Sequence, residues 1–512
     1  MKRNPSAVSV SDGPVTLDQI IQVAESFRPV TLSRAPAYRR RLRASVDLLH
    51  TDIARGRPVY GVTTGFGNSC GHRPRRQDMD RLGENLIRFH GCGTGRPLSV
   101  AQGRATLFCR MVSLAKGLSG VSPELLTRFA DFLNHGITPR IPGEGSVGAS
   151  GDLTPLSYVA ACLAGRRKVV YKGRTVSAAH AIRDAGLAPY RFNPKEPLAV
   201  MNGTSVMTGI AVLALARARR VLDAAVEATA LAVHGLRGHS HHFHPGIFLA
   251  KPFPGQAEVA ARVLRLLRSR ATAPESNEPD HLQDPYSVRC APHVLGVLAD
   301  GLVWMSSWVE TEANSVNDNP ILDPGSGRTL MGGNFYGGHI AFAMDALKTA
   351  LAGLCDLCDR QMALLVDPRF SRGLPPNLAK INGDREAFLH HGFKGLQISA
   401  SALAAEAQKN AMPAAVFSRS TESHNQDKVS LGTLAARDAD LACSLAEKTT
   451  AIHLMAATRA CRIRADLDRR PALALVARRV GRISPAWERD RATDKDVEAL
   501  AQAIADGSFA RR

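Results

Sequence analysis

The sequence predicts a mainly α fold: a long-helix bundle with a smaller, loop-rich N-terminal lobe. Three observations carry that expectation. Of 512 residues, 45% are hydrophobic but only 5% aromatic, so the apolar content is largely Ala, Leu and Val, a mixture suited to close-packed helices. Helix start and stop signals recur through the first 200 residues. From about residue 206 apolar positions return at helical spacing in long segments, broken by loops at 238–256, 271–293, 315–338, 368–385 and 411–427. A soft division near residue 205 separates a loop-rich lobe (1–205) from the long-helix region (206–512).

Residues 37–55 read as a helix stopped by Gly56, with Pro58 just beyond. "VYGVTTGFGN" (59–68) breaks the periodicity and reads as a loop. Helical spacing resumes in "MDRLGENLIRFH", where Leu82, Leu86 and Phe89 share a face with His90 beside them. Ser122-Pro123-Glu124 opens a helix with an N-cap, a proline at N1 and an early acid; it ends at His135-Gly136. "ITPRIPGEGSVGASGD" is too rich in Pro and Gly for regular structure. Thr154-Pro155 reads as the next N-cap pair, and "KVVYKGRTV" as a small hairpin turning at Lys-Gly.

The formal charge of +19 admits a nucleic-acid or membrane partner, yet the Arg and Lys residues are scattered. "YRRRLR", "GRRKVVYKGR" and "RRPALALVARRVGR" read as solvated helix faces, so neither nucleic acid nor membrane is expected. "MKRNPSAVSVSDGPV" lacks the apolar stretch of a secretory leader, and no uninterrupted apolar run approaches membrane-spanning length. Nine thinly spread cysteines suit free thiols in a reducing cytoplasm. Cys355 and Cys358 read as a core-facing i, i+3 pair. The five histidines of "HGLRGHSHHFHPGIF" have no acid or cysteine spaced to complete a metal site, so no metal is expected.

The stretch "GEGSVGASGDLTP" (143–155) admits three readings. Gly143, Gly145 and Gly148 spell a dinucleotide fingerprint, but the prolines before them are poor strand material and no acid follows about 20 residues on. Gly148-Ala149-Ser150-Gly151 misses the nucleophile-elbow spacing by one residue. The third reading is self-modification. Attack of the Gly151 nitrogen on the Ala149 carbonyl closes a five-membered ring, and dehydration that also removes the Ser150 hydroxyl leaves an exocyclic methylidene. Gly brings an uncrowded nitrogen, Ala little bulk, and Ser the β-leaving group.

In context, "GSVGASGDLTPLSYVA" resembles the signature of the aromatic amino acid ammonia-lyases and 2,3-aminomutases, and the likeness runs in ordered blocks over roughly residues 15–475. It implies that Ala149, Ser150 and Gly151 mature to 4-methylidene-imidazol-5-one (MIO), with no external cofactor. "YGVTTGFG" is similar to the family's active-site loop and makes Tyr60 the counterpart of its base. "LAVMNGTSVMTG" implies Asn202 beside the substrate and prosthetic group. "QDPYSVRCAPHVLG" carries over Gln283, Tyr286 and Arg289, the last as carboxylate clamp. "GGNFYGGHIA" puts Phe335 at the pocket wall. Glu406 in "AAEAQKNAMPAAV", and Asn425 and Gln426 in "STESHNQDKVSLG", complete the set. Read alone, Arg289 is a surface residue, Asn202 part of a turn, and Glu406 and Gln426 solvated or helix-pairing groups. A homotetramer with shared sites is also implied.

The chemistry follows from acidity: a β-proton is so weakly acidic that a base alone cannot drive loss of ammonia. The resemblance implies covalent electrophilic catalysis at residue 150, Arg289 holding the carboxylate and Tyr60, if its pKa is lowered, taking the proton. Substrate choice rests on Phe89 and His90. Family histidine lyases read Ser-His there, phenylalanine lyases Phe-Leu and tyrosine lyases often His-Leu, so Phe-His is a hybrid. The expectation is an L-tyrosine ammonia-lyase giving trans-4-hydroxycinnamate. Histidine ammonia-lyase giving urocanate, a tyrosine 2,3-aminomutase, a phenylalanine lyase, or a non-enzymatic basic helical protein binding nucleic acid or a partner stay open.

Overall fold

A computed structural model describes residues 6–268, 282–379 and 387–510. The chain forms two compact units. The first comprises Met1–Ala214, Ser306–Asp345 and Pro413–Arg437, the second Leu215–Met305, Ala346–Met412 and Asp438–Arg512. Four long helices, Ser205–Gly235, Ala291–Ala313, Gly338–Val366 and Gly432–Arg464, each contribute residues to both. The architecture is mainly helical, as composition and periodicity predict.

At the centre of the first unit runs the Val100–Ala115 helix. Ser99 and Gln102 cap it reciprocally, and every position from Gln102 to Ala115 is buried. The Leu17–Glu25 and Pro123–Asn134 helices pack on it. Arg104, fully buried there, donates to the carbonyls of Val23 and Leu133 at 2.8–3.0 Å, and these bonds offset much of the cost of removing a guanidinium from water. The unit's strands are short. Val8–Val10 pairs parallel with Val30–Leu32, Thr94–Pro97 pairs antiparallel with Pro142–Glu144, and Ile321–Asp323 with Arg328–Leu330. Thr138–Pro139, Lys168–Tyr171 and Arg174–Ser177 form one antiparallel sheet. Its hairpin turns at Lys172-Gly173, both left-handed, as the Lys-Gly signal predicts.

In the second unit Arg217 ties the Ser205–Gly235 and Gly432–Arg464 helices together. Its guanidinium holds the Glu447 carboxylate at 2.7–2.8 Å and also reaches Ser444 and Asp440. Cys355 and Cys358 are both buried, and all nine cysteines are free thiols.

Several local expectations need correction. The Leu153–Leu163 helix has Asp152, not Thr154, as its N-cap, because the Asp152 carbonyl already accepts from the Leu156 N–H at 2.9 Å; the Asp152 side chain makes no cap bond. In the Met79–Phe89 helix the buried face is Gly83, Leu86 and Ile87; Phe89, at the last turn, is 60% exposed. "TPRIPGE", too proline-rich to read as strand, supplies two short edge strands. The span 238–256 holds a helix at Pro245–Ala250, and 315–338 holds the hairpin from Ile321 to Leu330. Parts of the loops expected at 271–293 and 368–385 lie outside the described residues. One segment, Tyr286–Ala313, has the length and mean hydropathy to cross a membrane, but His293, Asp300 and Glu310 interrupt its apolar run, and half of its most apolar window is buried in the protein.

Candidate active site

Residues 143–155 are organised by contacts the sequence alone does not reveal. Ser150 adopts φ +49 and Gly151 φ +80, so two successive residues are left-handed. For Ser150 that conformation costs about 1–3 kcal/mol, which the surroundings must hold. They do so through the segment at 202–207. The Gly203 N–H donates to the Ser150 carbonyl at 3.2 Å, and the Asp152 N–H to the Gly203 carbonyl at 2.8 Å. The two backbones lie so close that a Cβ on Gly151 would sit 2.2 Å from the Gly203 oxygen. Only glycine fits. The Gly151 N–H donates to the Gly148 carbonyl at 3.3 Å, closing a tight turn around Ala149 and Ser150.

Asp152 anchors the turn. Its fully buried carboxylate accepts from the Val206 and Met207 N–H groups at 2.9 and 3.0 Å, at the start of the Ser205–Gly235 helix. Its other oxygen accepts from the hydroxyls of Thr433 and Ser146. Burial pushes the acid up to about 6 from 3.8, against the downward pull of those donors. Sequence reasoning missed this residue, although its place directly after the tripeptide was a signal. Asp152→Ala strands two buried helix N–H groups, and we expect a loss of about 2–4 kcal/mol in denaturant unfolding. Asp152→Asn, which keeps one acceptor, should lose less.

The tripeptide borders a cavity of about 450 Å³, lined also by Tyr60, Asn202, Phe335, Asn425 and Gln426. Of the residues expected at the site, seven line this cavity in the first unit, and Gly151 directly follows two of them. Tyr60 projects from a loop pinned by Leu49, Val59, Val62 and Leu322. Its phenol oxygen accepts from the Gly67 N–H at 2.7 Å, and its ring meets Phe66 edge-on at 6.3 Å. Burial holds the phenol above its ordinary pKa of 10; the Gly67 bond pulls it down, while Glu422 and Cys70 push it up. The condition under which Tyr60 was expected to act as base, a lowered pKa, is therefore not met by its neighbours in the first unit.

Asn202 is buried at the end of the Glu196–Met201 helix. Its amide donates to the Asn319 carbonyl at 3.2 Å, while its own oxygen has no partner. Gln426 reaches the Ser150 hydroxyl at 3.4 Å from a turn in which Glu422, Ser423 and His424 are all left-handed. That turn also brings Asp427 and Lys428 to the cavity wall, as the 315–338 segment brings Asn319, Met331 and Tyr336. Lys428 stood unremarked inside a block that the sequence reading did use.

Phe89 and His90 do not line this cavity. They end the Met79–Phe89 helix, which packs on the Leu153–Leu163 helix that follows the tripeptide; the Ser157 hydroxyl donates to the His90 carbonyl at 3.1 Å. The rings of Phe89 and His90 stack at 4.3 Å. His90 Nδ1 lies 3.1 Å from the Leu86 carbonyl, so Nδ1 carries the proton and Nε2, without a partner among the described residues, is an acceptor. Burial lowers the His90 pKa and keeps the ring neutral.

Gln283, Tyr286, Arg289 and Glu406 belong to the second unit. Gln283 and Glu406 are exposed, and Tyr286 is 71% exposed. Arg289 stacks its guanidinium 4.6 Å from the Tyr286 ring centre, and its buried Nε has no partner. The segment rests on buried Asp284, which takes Arg372 at 2.8 Å and the His239 N–H at 2.7 Å; Gln361 holds the Ser287 carbonyl at 2.8 Å. Among the described residues no cluster of three or more His, Cys, Asp or Glu side chains could hold a metal ion.

Comparison with known proteins gives a consistent picture. Residues 15–481 match the family model "Aromatic amino acid lyase". The chain is 35% identical over 502 residues to a histidine ammonia-lyase of Myxococcus xanthus, covering 98% of this chain and 97% of that one. It is 40% identical over 441 residues to a tyrosine ammonia-lyase of Cereibacter sphaeroides, covering 83% of each. The crystal structure of a tyrosine aminomutase from Streptomyces globisporus superposes with a TM-score of 0.90 at 34% identity, covering 98% of both chains.

Proposed function

From the premise that the chain belongs to the aromatic amino acid lyase family, whose ammonia-lyases cleave a carbon–nitrogen bond, we propose that it eliminates ammonia from L-tyrosine to give trans-4-hydroxycinnamate. Membership leaves the non-enzymatic reading without support. The left-handed Ser150-Gly151 turn, the cradle that admits no Cβ at Gly151, and the unpartnered Asn202 oxygen all suit an MIO group closed from Ala149, Ser150 and Gly151. Such a group supplies an electrophile that turns the substrate amine into a better leaving group. Asn202 and Gln426 orient polar groups around residue 150. Tyr60 takes the β-proton at its phenol oxygen, and Arg289 holds the carboxylate with its planar fork.

The substrate choice rests on the chemistry of the Phe89–His90 pair, which packs beside the helix that follows the tripeptide and lies outside the 450 Å³ cavity. A neutral imidazole presenting a free Nε2 accepts a hydrogen bond, and the phenol O–H of tyrosine donates one. The exposed Phe89 ring beside it gives an apolar wall for a six-membered ring. An imidazole N–H can also donate to Nε2, and histidine ammonia-lyases are among the chain's relatives at 35–38% identity, so L-histidine is the second reading. The likeness to an aminomutase structure supports a third outcome, return of ammonia to the β-carbon.

Incubation with each amino acid, followed by ultraviolet absorbance and chromatography, separates these outcomes. We expect 4-hydroxycinnamate from tyrosine; urocanate from histidine with no turnover of tyrosine would overturn the choice, and β-tyrosine would identify a mutase. His90→Leu removes the acceptor and restores the Phe-Leu pattern. It should lower kcat/KM for tyrosine about 10–100-fold while that for phenylalanine holds or rises, since a lost hydrogen bond penalises the substrate whose hydroxyl it served.

We further propose a homotetramer with shared sites in a reducing cytoplasm. Exposed Val297, Val303, Phe342 and Ile398 on long helices are apolar surface of the kind subunit contacts cover, and the nine free thiols suit that compartment.

A further inference from the structure

We propose that a second cavity, of about 660 Å³ in the second unit, binds a nucleoside polyphosphate. Its walls are two facing helices, Pro254–Leu267 and Pro471–Ile483. Arg262 and Arg265 line it from the first; Arg478, Arg479 and Arg482 line it from the second. The spacing explains the convergence: i and i+3 on one helix, and i, i+1 and i+4 on the other, turn each set toward the same space. Two of the five guanidinia are neutralised. Arg262 meets Asp223 at 2.7 Å, and Arg479 meets Glu227 at 3.1 Å. Arg265, Arg478 and Arg482 have no carboxylate partner among the described residues, which leaves three positive charges facing one cavity.

Like charges brought together repel, and an anion between them removes that cost. Guanidinium forks match phosphate oxygens in pairs, and three of them suit a compact di- or triphosphate better than a single carboxylate. The remaining lining indicates what the phosphates are attached to. Leu475, 54% exposed one turn before Arg478 and Arg479, and Leu266 offer an apolar wall. Phe509 lies beneath Arg479, its ring centre 5.0 Å from the guanidinium carbon. A flat base can lie on Leu475 with its phosphates among the arginines, and the volume falls within the range of small-ligand pockets. The cavity holds no residue assigned to the lyase site.

The test is calorimetric titration of the purified, full-length enzyme with ATP, ADP, inorganic triphosphate and adenosine. We expect ATP to bind, more weakly as salt is raised, and adenosine not to bind. The double variant R478A/R482A should bind ATP about tenfold more weakly or worse, with unchanged circular dichroism and unchanged kcat/KM for the amino acid in the absence of nucleotide. The double variant R478K/R482K keeps the charge without the fork and should lie between. No binding of ATP at millimolar concentration, or equal binding by R478A/R482A, overturns the proposal. Triphosphate binding as tightly as ATP also overturns it, since the apolar wall would then recognise nothing.

Discussion

Replacing Ser150 with alanine is expected to abolish turnover, lowering kcat by at least about a thousandfold, while leaving the fold intact. The hydroxyl makes one long hydrogen bond, 3.4 Å from Gln426 Nε2, and alanine meets the same left-handed backbone. The variant should therefore keep the fold of the unmodified chain, with unchanged circular dichroism. Chemically the loss is total, because the alkene needs a β-leaving group at this position and alanine has none. Intact-mass measurement reads this directly. Wild-type chain should be lighter than its sequence by two waters, about 36 Da, and the alanine variant should not lose that mass. Wild-type chain at full mass, or turnover surviving in Ser150→Ala, would show that the tripeptide is not the electrophile's precursor.

What the sequence made legible was local or carried in blocks. Ala149-Ser150-Gly151 could be read because the three groups that react are consecutive. The Ser122-Pro123 helix start is likewise legible, because the cap closes within four residues. Asp152 shows the opposite case. Its partners Val206 and Thr433 lie 54 and 281 residues away, so its commitment to another helix was invisible. The Tyr286–Arg289 segment was legible as a block, but its footing on Asp284 and Arg372, 88 residues apart, was not. Charge followed the same division. "RRPALALVARRVGR" announces a basic helix face, whereas the basic face opposite it, carrying Arg262 and Arg265, appears only when the chain is folded. Protonation state is the least legible property of all. Tyr60 was assigned a role by its loop, but the balance of burial, Gly67 and Glu422 belongs to the fold.

That balance makes Tyr60→Phe the second large effect. Removing the phenol oxygen deletes the proposed proton acceptor and should lower kcat about 10²–10⁴-fold, with little change in KM. It also strands the Gly67 N–H, at a stability cost of about 1 kcal/mol. Intact mass should remain two waters light, which separates loss of the base from loss of the electrophile. The pH profile supplies the sign. A phenol held above 10 is almost wholly protonated at neutral pH, so below its pKa each pH unit gained raises the phenolate fraction about tenfold. Wild-type kcat/KM should climb toward alkaline pH, and the Phe variant should lose that limb. Glu422 pushes the Tyr60 pKa up, so Glu422→Gln should move the limb to lower pH and raise activity at neutrality, provided the amide oxygen still holds the Asn68 N–H. An alkaline limb that survives in Tyr60→Phe, or one that does not move in Glu422→Gln, would assign the proton transfer to another group on the cavity wall, where Lys428 is the cation nearest in sequence to Gln426.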